Sequence, residues 1–225
     1  MSGFKPLSKT QSFAEQPLGG PPPAHRVRTL YPPITPFKTG FLNVGDGHEI
    51  FYECSGNKDG QPALFLHGGP GGGCGEHTRQ FFDPAFYMIV TFDQRGCNRS
   101  KPNASDDWQG AIVGQDTWNL VEDCEKLRRH LSVERWYVVL GGSWGSTLGL
   151  AYAQTHVNAM RALVLRGVFL FTPEEINYLF QSGEAFAHHP EAWEGFRDHI
   201  RTSCENGQGE AWETERLNLL GRLRS

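Results

Sequence analysis

Gly141-Gly142-Ser143-Trp144-Gly145-Ser146 is the stretch on which the fold turns. It directly follows an apolar run, Trp136 to Leu140. It leads into a segment, Gly145 to Thr155, in which Leu148, Ala151 and Tyr152 recur at helical spacing. Within it, Gly141-x-Ser143-x-Gly145 fits the G-x-S-x-G elbow, a serine on a sharp strand-to-helix turn. That turn needs small residues two positions either side, and it exposes the hydroxyl beyond the sheet edge. The next backbone N–H, that of Trp144, then faces any oxyanion that forms, with the helix N-terminus adding positive potential. An ordinary glycine-rich strand-helix turn is the plainer alternative; the flanking strand and helix favour the elbow.

Working outward, three other apolar runs behave like the strand before Ser143. Ala63 to Leu66 ends in His67-Gly68-Gly69-Pro70-Gly71-Gly72-Gly73, Tyr87 to Phe92 ends in Asp93-Gln94-Arg95-Gly96, and Ala162 to Leu165 precedes Arg166-Gly167. Short, continuously apolar strands are expected where helices cover both faces of a parallel sheet. Thr117 to Leu131 supplies one such helix, with Leu120, Cys124, Leu127 and Leu131 on one face. Ahead of these, Phe41 to Val44 and Glu49 to Cys54 flank Asp46-Gly47, a hairpin signal. Together they predict an α/β fold with a doubly wound, mostly parallel sheet.

The glycine run after His67 allows a backbone N–H to approach a substrate with no side chain in the way. A second oxyanion donor belongs there, assigned to Gly69, with Gly68 competing. A phosphate loop is disfavoured because the lysine and Ser/Thr of that motif are missing. His67 reads as a loop-orienting residue, and Asp93 and Arg95 as structural groups closing a loop beside the site.

The remaining composition narrows the function classes. Over 225 residues the net charge is −4, against a nucleic-acid or anionic-membrane surface. No apolar run approaches a membrane span. The five cysteines, Cys54, Cys74, Cys97, Cys124 and Cys204, have neither zinc spacing nor a disulfide framework. No metal or cofactor is expected, and the bland reading is reduced thiols in a cytoplasmic protein. Residues 1–37, rich in proline and glycine, read as an irregular tail or strap. Residues 38–170 read as the front of the α/β core, and 171–225 as the start of a helical cap. The cap opens on a capping box at Thr172-Pro173-Glu174-Glu175, with Trp193, Phe196 and Trp212 as anchors.

The His67–Gly72, Phe92–Cys97 and Gly141–Leu148 motifs together closely resemble the proline iminopeptidases, prolyl aminopeptidases that are serine peptidases of the α/β-hydrolase fold. The resemblance runs from about Pro36 to Ile200 and includes Leu165-Arg166-Gly167-Val168-Phe169. It implies peptides with an N-terminal proline as substrates and Ser143 as the nucleophile attacking the proline carbonyl. The N–H groups of Trp144 and Gly69 would form the oxyanion hole, with Arg166 and Phe169 near the proline pocket. Read without the family, Arg166 is equally an ion-pair partner and Phe169 a cap-core aromatic. Two departures stand out. Asn98 replaces the family's usual glycine, a mild change because Asn tolerates left-handed angles, and Phe180 replaces a common tyrosine.

A serine nucleophile needs a base and an orienting carboxylate, in the order Ser, Asp or Glu, His. After Ser143 the histidines are His156, His188, His189 and His199, and the only aspartate is Asp198. His156 belongs to the elbow helix, His188 and His189 precede Asp198, and Asp198 and His199 diverge on a helix. No pair fits. The expectation is a C-terminally truncated hydrolase with a partial helical cap, lacking the Asp and His of its triad. Alternatives are a non-catalytic product acting by binding, or an esterase or amidase of the same fold.

Overall fold

The structure, a computed structural model, describes residues 29–179 and 188–203. Asp46 (φ 57°) and Gly47 (φ 81°) take the left-handed angles that a two-residue hairpin requires. They join β1 (Pro36–Gly45) and β2 (His48–Gly56) as an antiparallel pair, Phe41 facing Phe51. β1 starts at Pro36, earlier than the apolar pattern implies. Proline, which has no N–H for a ladder, is tolerated as the first residue of an edge strand.

β3 (Gln61–Leu66), β4 (Tyr87–Phe92), β5 (Val138–Gly142) and β6 (Leu163–Arg166) complete a sheet ordered β1-β2-β4-β3-β5-β6. β2 meets β4 antiparallel, while β4, β3, β5 and β6 run parallel. β5 is shifted from the expected run: Trp136 makes only an isolated bridge to Met160, and Gly141 and Gly142 continue the ladder opposite Leu165 and Arg166. From β3 the chain moves outward to β4; from β5 it moves outward the other way to β6. That reversal puts a crevice at the carboxyl ends of β3 and β5, where open α/β sheets place their ligands.

Strand side chains alternate between two cores. Leu64, Leu66, Val90, Phe92 and Val139 lie on one face against Leu120, Cys124 and Leu127 of α2 (Thr117–His130) and Leu148 and Tyr152 of α3 (Trp144–Thr155). Ala63, Phe65, Ile89 and Val138 face the other way, onto Cys74 and Phe82. A short α1 (Trp108–Ala111) precedes α2, whose first turn is capped by the Asp116 carboxylate accepting from the N–H groups of Trp118 and Asn119.

Two buried polar clusters lock these layers. Tyr152 donates to Glu125 (2.5 Å) and accepts from the Trp136 indole (3.1 Å), while Arg128 pairs with Glu125 at 2.8 Å. The fully buried Arg95 guanidinium donates to both Asp123 oxygens (2.6 and 2.9 Å), to Asp46 in the hairpin turn (2.8 Å) and to the Val44 carbonyl (3.2 Å). Arg95 thereby ties the hairpin, the end of β4 and α2 together.

Beyond β6 the capping box forms as the sequence implies. Thr172 accepts from the Glu175 N–H, and the Glu175 carboxylate accepts from the N–H groups of Thr172 (3.1 Å) and Leu170 (2.9 Å). It opens α4 (Pro173–Asn177); α5 (Pro190–Ser203) follows, with Trp193 half-buried. Phe180, Trp212 and the side chain of Phe196 lie outside the described residues.

Candidate active site

Ser143 stands between β5 and α3 with φ 55° and ψ −124°, a strained combination for a residue with a side chain. The glycines two positions away make the turn possible. A Cβ on Gly141 would sit 2.1 Å from the Gly145 carbonyl oxygen, and one on Gly145 2.1 Å from the Leu66 carbonyl oxygen. Backbone contacts of that kind cannot be relieved by rotating a side chain. The result is an exposed Ser143 on an otherwise buried turn. Its own N–H is held by the Arg166 carbonyl (2.9 Å), which pins the elbow to β6.

The turn is braced from beneath by Ser146, which is fully buried. Its hydroxyl donates to the Ser143 carbonyl (2.6 Å) and accepts from the Phe169 N–H (2.9 Å). Thr147 Oγ1 donates to the Phe169 carbonyl, so both ends of that residue's backbone are anchored to the first turn of α3. The Phe169 ring packs edge-on against Phe171 (5.3 Å), which in turn packs against Trp144 (5.8 Å). These rings form an aromatic wall next to the elbow. The Arg166 guanidinium lies over Gly142, about a carbon's contact distance from where a Cβ would be (3.6 Å), and among the described residues it pairs with no carboxylate.

The glycine-rich loop after β3 meets the elbow across the crevice. A Cβ on Gly68 would lie 3.0 Å from the Gly142 carbonyl oxygen and 3.2 Å from Ser143 Cβ, so a side chain here would push the two loops apart. The Gly68 carbonyl accepts from the Gly72 N–H (3.1 Å) and lies 2.9 Å from His67 Nδ1. Across a trans peptide the carbonyl and the next N–H point oppositely. With the Gly68 carbonyl turned inward, the Gly69 N–H points out of the loop at an exposed position. Neither the Gly69 nor the Trp144 N–H is taken by a hydrogen bond among the described residues.

His67 is buried and both its ring nitrogens are committed to backbone. The Gln94 N–H donates to Nε2 (3.0 Å), the half-buried Gly73 N–H donates to Nδ1 (3.1 Å), and Nδ1 also lies 2.9 Å from the Gly68 carbonyl. Burial, the largest influence, pulls this imidazole below its usual 6.5. A neutral ring with no free lone pair orients the loop and has nothing left for proton transfer.

Asp93 closes the neighbouring loop. Its carboxylate accepts from the Cys74 N–H (2.7 Å), from Asn98 Nδ2 (3.1 Å) and from Arg99 Nε (2.7 Å). Asn98, with φ 45°, occupies the left-handed region as its sequence position implies. Among the described histidines none bonds to Ser143. His156 caps the far end of α3 and contacts Glu122 at 2.8 Å, while His188, His189 and His199 belong to the α5 region. The residue that sequence reasoning passed over is Gln94. It was visible as the middle of Asp93-Gln94-Arg95 at the end of β4, next to the β3 loop in the sheet order, but its contacts depend on that adjacency.

The sequence profile of the alpha/beta hydrolase fold family matches residues 62–222. A proline iminopeptidase of Arabidopsis thaliana is 52% identical over 173 residues, 77% of this chain and 43% of that protein. One of Xanthomonas citri is 51% identical over 174 residues, 77% of this chain and 53% of that protein. The chain therefore spans about half the length of the curated relatives it matches. Among solved structures, a carboxylesterase of the thaumarchaeon Nitrososphaera gargenis superimposes with a TM-score of 0.52 at 18% identity, covering 67% of this chain and 54% of that one; it shows the shared fold alone. With the profile running from the start of β3 through the elbow and past β6, the chain belongs to the alpha/beta hydrolase fold family.

Proposed function

We propose that this chain carries the nucleophile and oxyanion donors of a serine aminopeptidase that releases N-terminal proline from peptides. The observation that carries the reading is the meeting of the two loops: exposed Ser143 at φ 55°, backed by Gly68, with the N–H groups of the next residues, Gly69 and Trp144, unspent among the described residues. In this reading Ser143 Oγ attacks the carbonyl of the N-terminal proline. The two N–H groups receive the oxyanion while the triad histidine takes the Oγ proton and hands it to the following residue's amine, which leaves as the adduct collapses to a prolyl ester on Ser143. Water then hydrolyses that ester, releasing proline and restoring the Ser143 hydroxyl. Phe169 packs against the pyrrolidine ring and Arg166 lines the same pocket. The identity to proteins named proline iminopeptidase supports the choice of substrate.

The aspartate and histidine of the triad lie outside these 225 residues. Support comes from the lack of any described histidine bonded to Ser143 and from the half of the relatives' length that is unmatched. Residues 38–170 then form the front of the hydrolase core and 171–225 open its cap. No helix among the described residues is long and apolar enough to cross a membrane. The four described cysteines are buried and unpaired, which supports a reducing, cytoplasmic setting.

The test is release of arylamine from a proline arylamide. The 225-residue chain alone should show none. The same chain fused to the unmatched C-terminal portion of the Xanthomonas citri relative should show turnover that Ser143→Ala removes. Turnover by the unfused chain that Ser143→Ala abolishes would overturn the placement of the base elsewhere. A folded fusion that cleaves aryl esters but no proline arylamide would overturn the peptidase assignment in favour of an esterase.

A further inference from the structure

We infer that Gln94 is a positioning residue that sets the distance between the two oxyanion donors; the inference rests on the serine-hydrolase reading above. Gln94 uses three of its polar groups on the two loops that supply those donors. Its backbone N–H goes to His67 Nε2 (3.0 Å), and its side-chain Nε2 donates to the His67 carbonyl (3.0 Å). Its Oε1 accepts from the Trp144 indole N–H (3.0 Å). The chain of contacts runs Gly69 loop, His67, Gln94, Trp144, elbow. It is sealed from water: His67 and Gln94 are each 2% exposed and Trp144 is 6% exposed.

Each link has a defined consequence. The Gln94 N–H on Nε2 and the Gly73 N–H on Nδ1 grip the His67 ring from both sides and fix its orientation against the glycine loop. The ring so held puts Nδ1 2.9 Å from the Gly68 carbonyl, which the Gly72 N–H also bonds at 3.1 Å, and with that carbonyl turned inward the Gly69 N–H points outward. The side-chain amide spans from β3's loop to the indole, and the indole belongs to the residue whose backbone N–H is the other donor. An amide is the fitting group, since one end must donate to a carbonyl and the other must accept from an indole. Glutamate can do only the second, and a hydrocarbon neither. No reacting atom touches Gln94, so it acts through the loops. Its effect belongs to the charged tetrahedral species, because only there do both N–H groups bear on one oxygen.

The experiment compares two ligands on the folded 225-residue chain, neither of which needs turnover. Proline boronic acid forms a tetrahedral adduct with Ser143 Oγ and places an oxygen between the donors; prolinamide binds as a ground-state ligand. Gln94→Met removes both side-chain bonds, and Trp144→Phe removes the indole donor but keeps the backbone N–H. Each variant should weaken boronate binding by about 10- to 100-fold, the range in which displaced donors act, while prolinamide binding changes less than about threefold. The two losses should not multiply in the double variant, because the substitutions cut one chain of contacts. If Gln94→Met does not fold, Trp144→Phe decides on the same ratio of affinities. Unchanged boronate affinity, or parallel loss of both ligands, overturns the role of Gln94. Ser143→Ala separates the two readings: if it binds the boronate as well as wild type, the serine-nucleophile reading itself falls.

Discussion

At the scale of single residues, the site is built by exclusion of side chains as much as by their presence. Ser143 can hold its strained angles because Gly141 and Gly145 let two backbone segments cross where any Cβ would collide with a carbonyl oxygen at 2.1 Å. Gly145→Ala should therefore cost about 1–3 kcal/mol or more of unfolding free energy by urea titration, and it should abolish boronate binding in whatever fraction folds. A value within the error of wild type would mean that the turn has another way to accommodate a side chain. The elbow was legible because its glycines are a local steric requirement, readable from spacing. Gln94 was not, because nothing in Asp93-Gln94-Arg95 says that the middle residue faces Trp144, 50 positions later.

At the scale of elements, charged pairs hold the sheet to its helices. Arg95 is wholly buried, and its partner Asp123 is equally closed to solvent. Removing Arg95 leaves the buried Asp123 charge with only Lys126, at 3.8 Å, to offset it among the described residues, which costs far more than the pair contributes. Arg95→Met should destabilise by about 3–5 kcal/mol, whereas the double variant Arg95→Met with Asp123→Leu should recover much of that loss in the same titration. A single variant as costly as the double would show that the pair contributes through something other than mutual charge. Here the sequence marks both residues only as charges near apolar runs; that they meet depends on β4 ending above α2. The capping box at Thr172, by contrast, is local to four residues and was read correctly from its pattern.

For the whole molecule, acid should act in two stages. The His67 imidazole is held below its usual 6.5 by burial, so its contribution is complete above that value and is lost as pH falls through the depressed one. Glu125 is pushed upward by burial, yet the Arg128 guanidinium and Tyr152 hydroxyl outweigh this and hold it at about 2 against a usual 4.5. Its contribution is present above 4.5 and drains away toward about 2. Unfolding free energy from urea titrations should decline first below 6.5 and again below 4.5, and Glu125→Gln should flatten only the second decline. A first decline that steepens in that variant would assign it to other groups. The sequence by itself determined the main strands and helices, the elbow, the hairpin and the Thr172 capping box, because each is governed by periodicity or by the backbone needs of a few adjacent residues. Only the tertiary structure decided which loops share the crevice, that His67 is spent on backbone, and that Gln94 spans to Trp144. Those facts follow from strand order, which brings the carboxyl ends of β3, β4 and β5 side by side although Leu66, Phe92 and Gly142 are far apart along the chain.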